Sequence, residues 1–468
     1  MPRATNLMAI AHDLVSSKVL VPLYQLQCLA RPSCRPAMLA FQEGIRFRGE
    51  AARWNDDQKH EWILRRLRYS ARRAYNETAY YRELFVRIGF DPWADFGFEE
   101  FARLPVLERE DIRQADKALV SASVPPAQLR HDATGGSTGK PTEVWLGPEE
   151  RGWHESGMQY FMNRIGLPKG SRVGSLWGHH LDPVASDRFR DRLRYFTLNS
   201  RRFDCFRLSP TILEQYHKEM ESWQPRWVQA YASALGALAE EVRNRGWRPS
   251  YPTQCFVTGA EKLMPYHRSI VESVFARPVH EQYGGRDVGL IGFQVSPEYT
   301  LDFHIDWANV LIEPEKAGAY SPILVTKLHA DGMPMLRYRI GDIGRFPQGS
   351  RSGHPTFILH EIVGREMDRI WLHDGRWVHH IEFRHMMKDY AVGEFQVVQY
   401  ADFSVVVRVV PRNGFTDESR KSILQIIGAN LPGLNVSLQV VEAIQRTASN
   451  KWRPVISEID GRCLQVTR

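Results

Sequence analysis

Seven consecutive residues, Thr134, Gly135, Gly136, Ser137, Thr138, Gly139 and Lys140, followed by Pro141, combine backbone freedom, hydroxyls and a cation. Glycines let backbone N–H groups approach phosphate oxygens closely, the hydroxyls add donors, and Lys140 supplies charge. The spacing differs from a Walker A loop: only three residues separate Gly135 from Gly139, one fewer than that loop requires, and Pro141 replaces its Ser or Thr. Taken alone, such a run is equally a surface turn. His179, His180 and Asp182 form a second chemistry-bearing group. Adjacent histidines project in different directions along a strand or loop, which argues against zinc. The five cysteines (Cys28, Cys34, Cys205, Cys255, Cys463) are scattered, odd in number and without a CxxC pair. That pattern points to a reducing compartment and away from a disulfide framework or a Cys-type zinc site.

The chain that must position these groups has 468 residues, a length for two or three domains. Its 43% hydrophobic and 25% charged residues are those of a folded, soluble chain. Thirteen Trp and 17 Tyr could wall a pocket or fill a core equally well. The whole net charge of +7 falls in residues 1–90, where 15 Lys and Arg face 8 Asp and Glu. Arg65, Arg66, Arg68, Arg72 and Arg73 read first as a solvated helix face, with an acidic partner or weak membrane contact as the alternative. No nucleic-acid module accompanies the charge. Apolar stretches before residue 30 are interrupted by Asp13, Lys18, Pro22 and Gln25. They lack the layout of a membrane span or a secretory signal, so a cytoplasmic location is expected.

Helical spacing of Trp62, Ile63, Leu67, Ala71 and Ala74 predicts a helix over 58–90, and 98–115 reads as a shorter helical stretch. Candidate strands 172–177, 227–231 and 254–258 alternate with helices 211–222, 233–246 and 265–276, the pattern of a parallel α/β sheet. Runs 323–328 and 335–338 around Asp331-Gly332 suggest a hairpin. Beyond about residue 363 the pattern resets to a small α+β unit, with strands 395–399, 404–410 and 435–442 and a helix 417–429.

The glycine-rich loop resembles the TSGTTGKP signature of the adenylate-forming superfamily, and four further segments stand in that family's order. Glu281 to Asp287, reading EQYGGRD, resembles its YGxTE motif. Arg337 to Asp342, RYRIGD, is similar to its Y-x-x-GD motif. Gly364-Arg365-x-x-Asp368 resembles its hinge, and Asn450-Lys451-x-Arg453 its closing lysine motif. Tyr75 to Phe85, Ile88 to Pro92, Leu104-Pro105 and Arg109 to Arg113 are similar to the phenylacetate–CoA ligase and capsule-type branch, as is 13–50. The likeness spans nearly the whole chain. It implies an α/β fold: a large N-terminal domain, 1–363, of parallel sheets flanked by helices plus a β-rich subdomain, and a small mobile α+β C-terminal domain, 364–468.

It also implies ATP-dependent activation of a carboxylic acid to an acyl-adenylate, with pyrophosphate released, then acyl transfer to a thiol such as CoA. Thr134 to Lys140 would cradle the phosphates. Gly259, Ala260, Glu261, Gln282, Tyr283 and Gly284 would line the adenine side, although Tyr283 could equally be core. Asp342 would accept the ribose hydroxyls, with Arg365 as a second nucleotide contact. Asp287 would bind Mg²⁺. Lys451 would bridge carboxylate and α-phosphate as the catalytic cation. Trp177, His179, Tyr231 and Ser233 would line the acid pocket, and the aromatic count leans toward a planar acid.

Several positions depart from the pattern. Asp287 replaces a glutamate, Arg286 stands where a small residue is common, and Met367 occupies the hinge. His304 and Asp306 sit near a histidine of this branch, but the cysteines around it are missing, which weakens a zinc site. Gly375 to Glu382 resembles the family's G-x-x-V…IE segment with two residues fewer. By the resemblance that surface faces the acceptor, so an amine or a carrier-protein thiol competes with CoA. A non-catalytic homologue that keeps the fold is the third reading.

Overall fold

The computed structural model describes residues 15–133, 142–178, 198–205, 208–366, 368–387, 389–445 and 453–459. By compactness the chain divides into two units, residues 1–340 with 344–361, and residues 341–343 with 362–468.

In the first unit, Asn55 opens a long helix, Asp56–Glu77, through a capping box with Gln58. Its apolar stripe, Ile63, Leu67, Ala71 and Ala74, is fully buried. The single helix expected over 58–90 is two, because Thr78 stops one and starts the next. Its backbone is extended, its hydroxyl donates to Ala74 O at 2.7 Å, and the same oxygen accepts from Tyr81 N–H ahead of helix Ala79–Ile88. The arginine face is not solvated either. Arg66 donates to Leu328 O, Arg68 to Phe96 O, Arg72 to Pro92 O, and Arg73 pairs with Glu77 and Glu149. Arg65 alone of that group is exposed. The stretch 98–115 is likewise two short helices, Phe98–Phe101 and Arg109–Ala115. Pro105 disfavours helix at Leu104, and Leu107 bridges to Tyr338 instead.

The main sheet has eight strands. Ser200–Phe203, Val173–Leu176, Trp227–Tyr231, Cys255–Gly259 and Val279–Gly285 run parallel, in that order. Gly289–Phe293, Phe303–Ile305 and Ile358–Leu359 extend it antiparallel. All five residues of Cys255–Gly259 are buried, as a central parallel strand covered on both faces requires. Helices Pro210–Trp223, Ala232–Asn244 and Pro265–Phe275 supply the crossovers and pack Leu213, Leu235, Leu238 and Val271 into the core.

A second sheet orders strands Val310–Pro314, Tyr320–Lys327, Tyr338–Arg345 and Glu361–Arg365. The two runs expected to form a hairpin around Asp331-Gly332 are neighbouring strands of this sheet, but residues 328–337 join them and Asp331-Gly332 serves another purpose. Arg337 has φ 53°, so the second strand starts only at Tyr338. Asp331 instead caps helix Pro148–Arg164, accepting from the N–H groups of Glu149 and Glu150 at 2.9 and 3.0 Å. A Cβ on Gly332 would collide with the backbone at Gly147, so glycine is required there.

The second unit carries a four-stranded sheet ordered Val436–Val440, Val405–Pro411, Val392–Gln399 and Val455–Ser457, with helix Asp417–Asn430. Its core gathers Ile370, Phe383, Val397, Val407, Ile423 and Ile427.

Candidate nucleotide and acid site

In a parallel α/β sheet, ligands bind beyond the carboxyl ends of the strands. The described candidates of the first unit cluster there. Trp177 follows the strand Val173–Leu176, Tyr231 ends its strand with Ser233 just beyond, and Gly259 ends the next with Ala260 and Glu261 following. Trp177 and Tyr231 meet edge to face with ring centres 4.5 Å apart, and Tyr231 Oη donates to Gly178 O at 2.9 Å. Ser233 N–H donates to Glu261 Oε2 at 3.0 Å, tying the acid-side and adenine-side candidates together. A Cβ on Gly259 would lie 2.7 Å from Gln282 Nε2, so glycine admits the amide. Gln282 Oε1 is enclosed and accepts no hydrogen bond from the described residues, leaving an acceptor for a ligand donor. Tyr283 is half-buried, its ring edge-on to Phe303 at 6.2 Å.

Strands Val279–Gly285 and Gly289–Phe293 form a hairpin whose tip holds Arg286 and Asp287. Asp287 is 3% exposed, which removes its reading as a solvated loop residue. Tyr338 Oη donates to Asp287 Oδ2 at 2.9 Å, and Arg109 Nε donates to that hydroxyl at 3.2 Å. Lys327 Nζ donates to the Asp287 carbonyl at 3.3 Å and pairs with Glu150 at 2.6 Å, both side chains almost wholly buried. Burial lifts the Glu150 carboxyl to about 7 against the pull of Lys327. Beside it, burial and the positive charge of Lys327 lower His154 to about 3, so this ring is neutral. A Cβ on Gly285 would collide with Asp287 Oδ1, so the carboxylate needs glycine beneath it. None of these was expected from the sequence as a support of Asp287, although Tyr338, Arg109 and Gly285 lie within segments that carry the resemblance.

Arg286 Nη1 pairs with Asp132 Oδ1 at 3.0 Å. Asp132 lies in strand Arg130–Ala133, which pairs antiparallel with Glu143–Leu146 so that Ala133 faces Glu143. The bulky residue at 286 is therefore tied to an antiparallel strand pair whose first strand ends just before the glycine-rich segment.

In the second unit, Arg365 Nε meets Asp342 Oδ1 at 3.1 Å, bringing the two nucleotide candidates of that unit together. Arg453 Nη2 meets Asp368 Oδ1 at 3.3 Å, and burial lifts the Asp368 carboxyl to about 6. The shortened segment is a hairpin, Arg369–Trp371 with Trp377–His379, running straight into helix His380–Met387. The Arg369 guanidinium lies 4.5 and 5.4 Å from the ring centres of Trp371 and Trp377, and Trp377 is 44% exposed.

Thr134 to Lys140, His179, His180, Asp182, Met367, Lys451 and Cys463 lie outside the described residues. Among those described, no three His, Cys, Asp or Glu side chains gather for a metal. Asp306 is a bidentate partner of buried Arg48, at 3.0 and 2.8 Å. Much of the aromatic content is structural: Phe47 stacks on Trp62 at 4.6 Å, and Trp54, Trp153 and Trp307 surround it. No helix among the described residues is long and apolar enough to cross a membrane.

Residues 370–458 match the family model of the CapK C-terminal domain. Protein CapK of Staphylococcus aureus is 23% identical over 369 residues, covering 76% of this chain and 80% of the relative. Phenylacetate-coenzyme A ligase of Pseudomonas putida is 24% identical over 331 residues, covering 67% and 72%. Among solved structures, 2-hydroxyisobutyryl-CoA ligase in its postadenylation state superposes with a TM-score of 0.68 at 18% identity, over 88% of this chain and 93% of that one. In motif order and in fold, the chain is thus similar to adenylate-forming ligases of the CapK and phenylacetate–CoA ligase kind.

Proposed function

We propose that the chain is an AMP-forming ligase that activates a carboxylic acid with ATP, releases pyrophosphate, and passes the acyl group to a thiol such as CoA. The observation that carries this reading is the turn at 286–287. Tyr338 holds the buried Asp287 carboxylate and Lys327 its backbone carbonyl, and the neighbouring Arg286 is salt-bridged to Asp132, two residues before the glycine-rich segment. Relatives named as acid–CoA ligases support the same chemistry.

Two anions must meet in adenylation, so the site has to supply positive charge and hold the reactants in line. Thr134 to Lys140 would bind the terminal phosphates and Lys451 the carboxylate and α-phosphate. Gly259 to Glu261 and Gln282 to Gly284 would bind adenine, with the unsatisfied Gln282 oxygen as an acceptor. Asp342 would bind the ribose, its carboxylate oriented by Arg365. Asp287 suits Mg²⁺, which takes one or two carboxylates beside substrate phosphates rather than a protein cage. Tyr338 occupies one of the several lone-pair positions of that carboxylate and leaves others free. When bound, the ion would offset phosphate charge. Trp177, His179, Tyr231 and Ser233 would wall the acid.

Lys451 must approach the α-phosphate where the later nucleophile also needs room. Domains 1–363 and 364–468 would therefore reorient between steps, hinging at 365–368. Protease cleavage near 363–370, suppressed by ATP plus acid, would be its sign; equal cleavage with and without them would oppose it. The direct run from strand to helix after Trp377 favours an amine or carrier-protein thiol as the second reading for the acceptor. Pyrophosphate release measured across a library of acids tests the adenylation. Acceptor-dependent AMP release with CoA, amines and carrier proteins then tells the acceptors apart. No release with any acid would overturn the proposal.

A further inference from the structure

The basic run of the long helix is tied into the interior through Arg66, Arg68, Arg72 and Arg73. An unexplained surface lies earlier in the chain. A π-helical turn, Ser16–Leu20, leads into helix Val21–Ala30. One side of this segment is packed: Ser16, Val21 and Cys28 are buried, and Gly170 lies so close that its Cβ would stand 3.0 Å from the Ser17 backbone. The other side is apolar and open. Val15, Val19, Leu23 and Leu26 are exposed by 51, 47, 56 and 62%, at the spacing of one helix face. Among the described residues, nothing in the first unit covers them.

We propose that this face seats the protein on an anionic lipid surface. Charge selects that occupant. From residue 15 to residue 42 the sequence has no Asp or Glu, while Lys18, Arg31 and Arg35 are exposed. An apolar helix face edged by cations lies in the headgroup boundary of an anionic bilayer. A second copy is a poorer occupant. A two-fold interface through this face would bring the same three cations of both copies together, and the segment holds no carboxylate to offset them. The placement also leaves the candidate site accessible. Gly170 precedes the strand Val173–Leu176, so the helix packs at that strand's amino end, opposite Trp177.

The test is co-sedimentation of the full chain with vesicles of phosphatidylcholine alone, or with about a third phosphatidylglycerol. Binding to the anionic vesicles only, weakened by salt, is expected. Leu23→Glu with Leu26→Glu should lower partitioning at least about tenfold. Each of Lys18→Gln, Arg31→Gln and Arg35→Gln should lower it about fivefold. Acid-dependent pyrophosphate release should match the unsubstituted protein in all of these variants, so the outcome is independent of the proposed activity. Absence of binding, or binding indifferent to these changes, overturns the proposal. So does a dimer in sedimentation velocity that the Leu23→Glu, Leu26→Glu pair dissolves, since a second copy would then be the occupant. Binding that emerges only after deletion of residues 1–14 would make that segment the occupant and would equally overturn the proposal.

Discussion

Replacing Tyr338 by Phe removes one oxygen from the support of Asp287 and leaves the ring. Tyr338 is fully buried, and burial raises its phenol, so it is a donor at any working pH. The hydroxyl lies 2.9 Å from Asp287 Oδ2 and accepts from Arg109. A hydrogen bond to a charged group contributes roughly 1.5–3 kcal/mol, and a buried group left unsatisfied costs a comparable amount. If about half of that appears as lost alignment of the carboxylate, the loss is about 0.8–1.5 kcal/mol, up to about tenfold. The expected outcome is a rise of up to roughly tenfold in the Mg²⁺ concentration for half-maximal pyrophosphate release, with the melting temperature a few degrees lower. Measuring release against Mg²⁺ at saturating ATP, together with direct Mn²⁺ binding by paramagnetic resonance in the presence of ATP, separates the two effects. A lowered melting temperature with unchanged metal dependence would refute the reasoning: Tyr338 would then be structural only, and Asp287 would not be the metal carboxylate.

Lys451→Ala should cut acid-dependent pyrophosphate release by on the order of 10²–10³ while ATP binding, read by calorimetry, stays near normal; near-normal turnover would remove Lys451 from the chemistry. Asp132→Asn and Arg286→Gln should each raise the KM for ATP, and the double variant should cost less than their sum, with a coupling of about 0.5–1 kcal/mol for this half-exposed pair; strict additivity would deny the link between hairpin and turn. Trp377→Ala should slow acceptor-dependent AMP release several-fold and leave pyrophosphate release intact; equal loss of both would move Trp377 away from the acceptor step. Burial lifts the Asp368 carboxyl above the ordinary carboxylate range, to about 6. The folded state then holds that proton more tightly than the unfolded chain, so its contribution to stability falls as pH rises from about 4 to about 6, by at most about 3 kcal/mol. Asp368→Asn should flatten the melting temperature over that window, and an unchanged slope would show that other groups set it.

The alternating strands and helices of the main sheet were legible because each was marked locally. The strands at 227–231 and 255–259 are largely apolar runs, and the helix between them, Ala232–Asn244, repeats Leu and Ala at helical spacing. The sequence misleads where one side chain overrides a pattern that continues past it. Thr78 interrupts an unbroken helical period by capping in both directions. Asp331-Gly332 has the composition of a hairpin turn, yet its carboxylate is committed to a helix terminus that begins at Pro148. The arginines of 65–73 read as solvated because their partners, Leu328, Phe96, Pro92 and Glu149, are remote in sequence.

The same distinction runs through the candidate site. Motif order names residues that would meet a ligand, because the ligand fixes their types. Residues that hold those groups answer to contacts remote in sequence, which a motif read along the chain does not display. Asp287 depends on Tyr338, 51 residues away, and on Lys327, 40 residues away, which is held in turn by Glu150. Arg286 reaches Asp132 across 154 residues. As a sequence feature, Arg286 is a bulky intrusion into a motif that prefers a small residue. In the fold it is the cation that offsets a carboxylate two residues before the glycine-rich loop. Under the proposed phosphate role of that segment, Asp132 without Arg286 would repel the phosphates. The departure and the carboxylate that requires it are thus one feature, and changing both is expected to harm ATP use less than the two single changes summed.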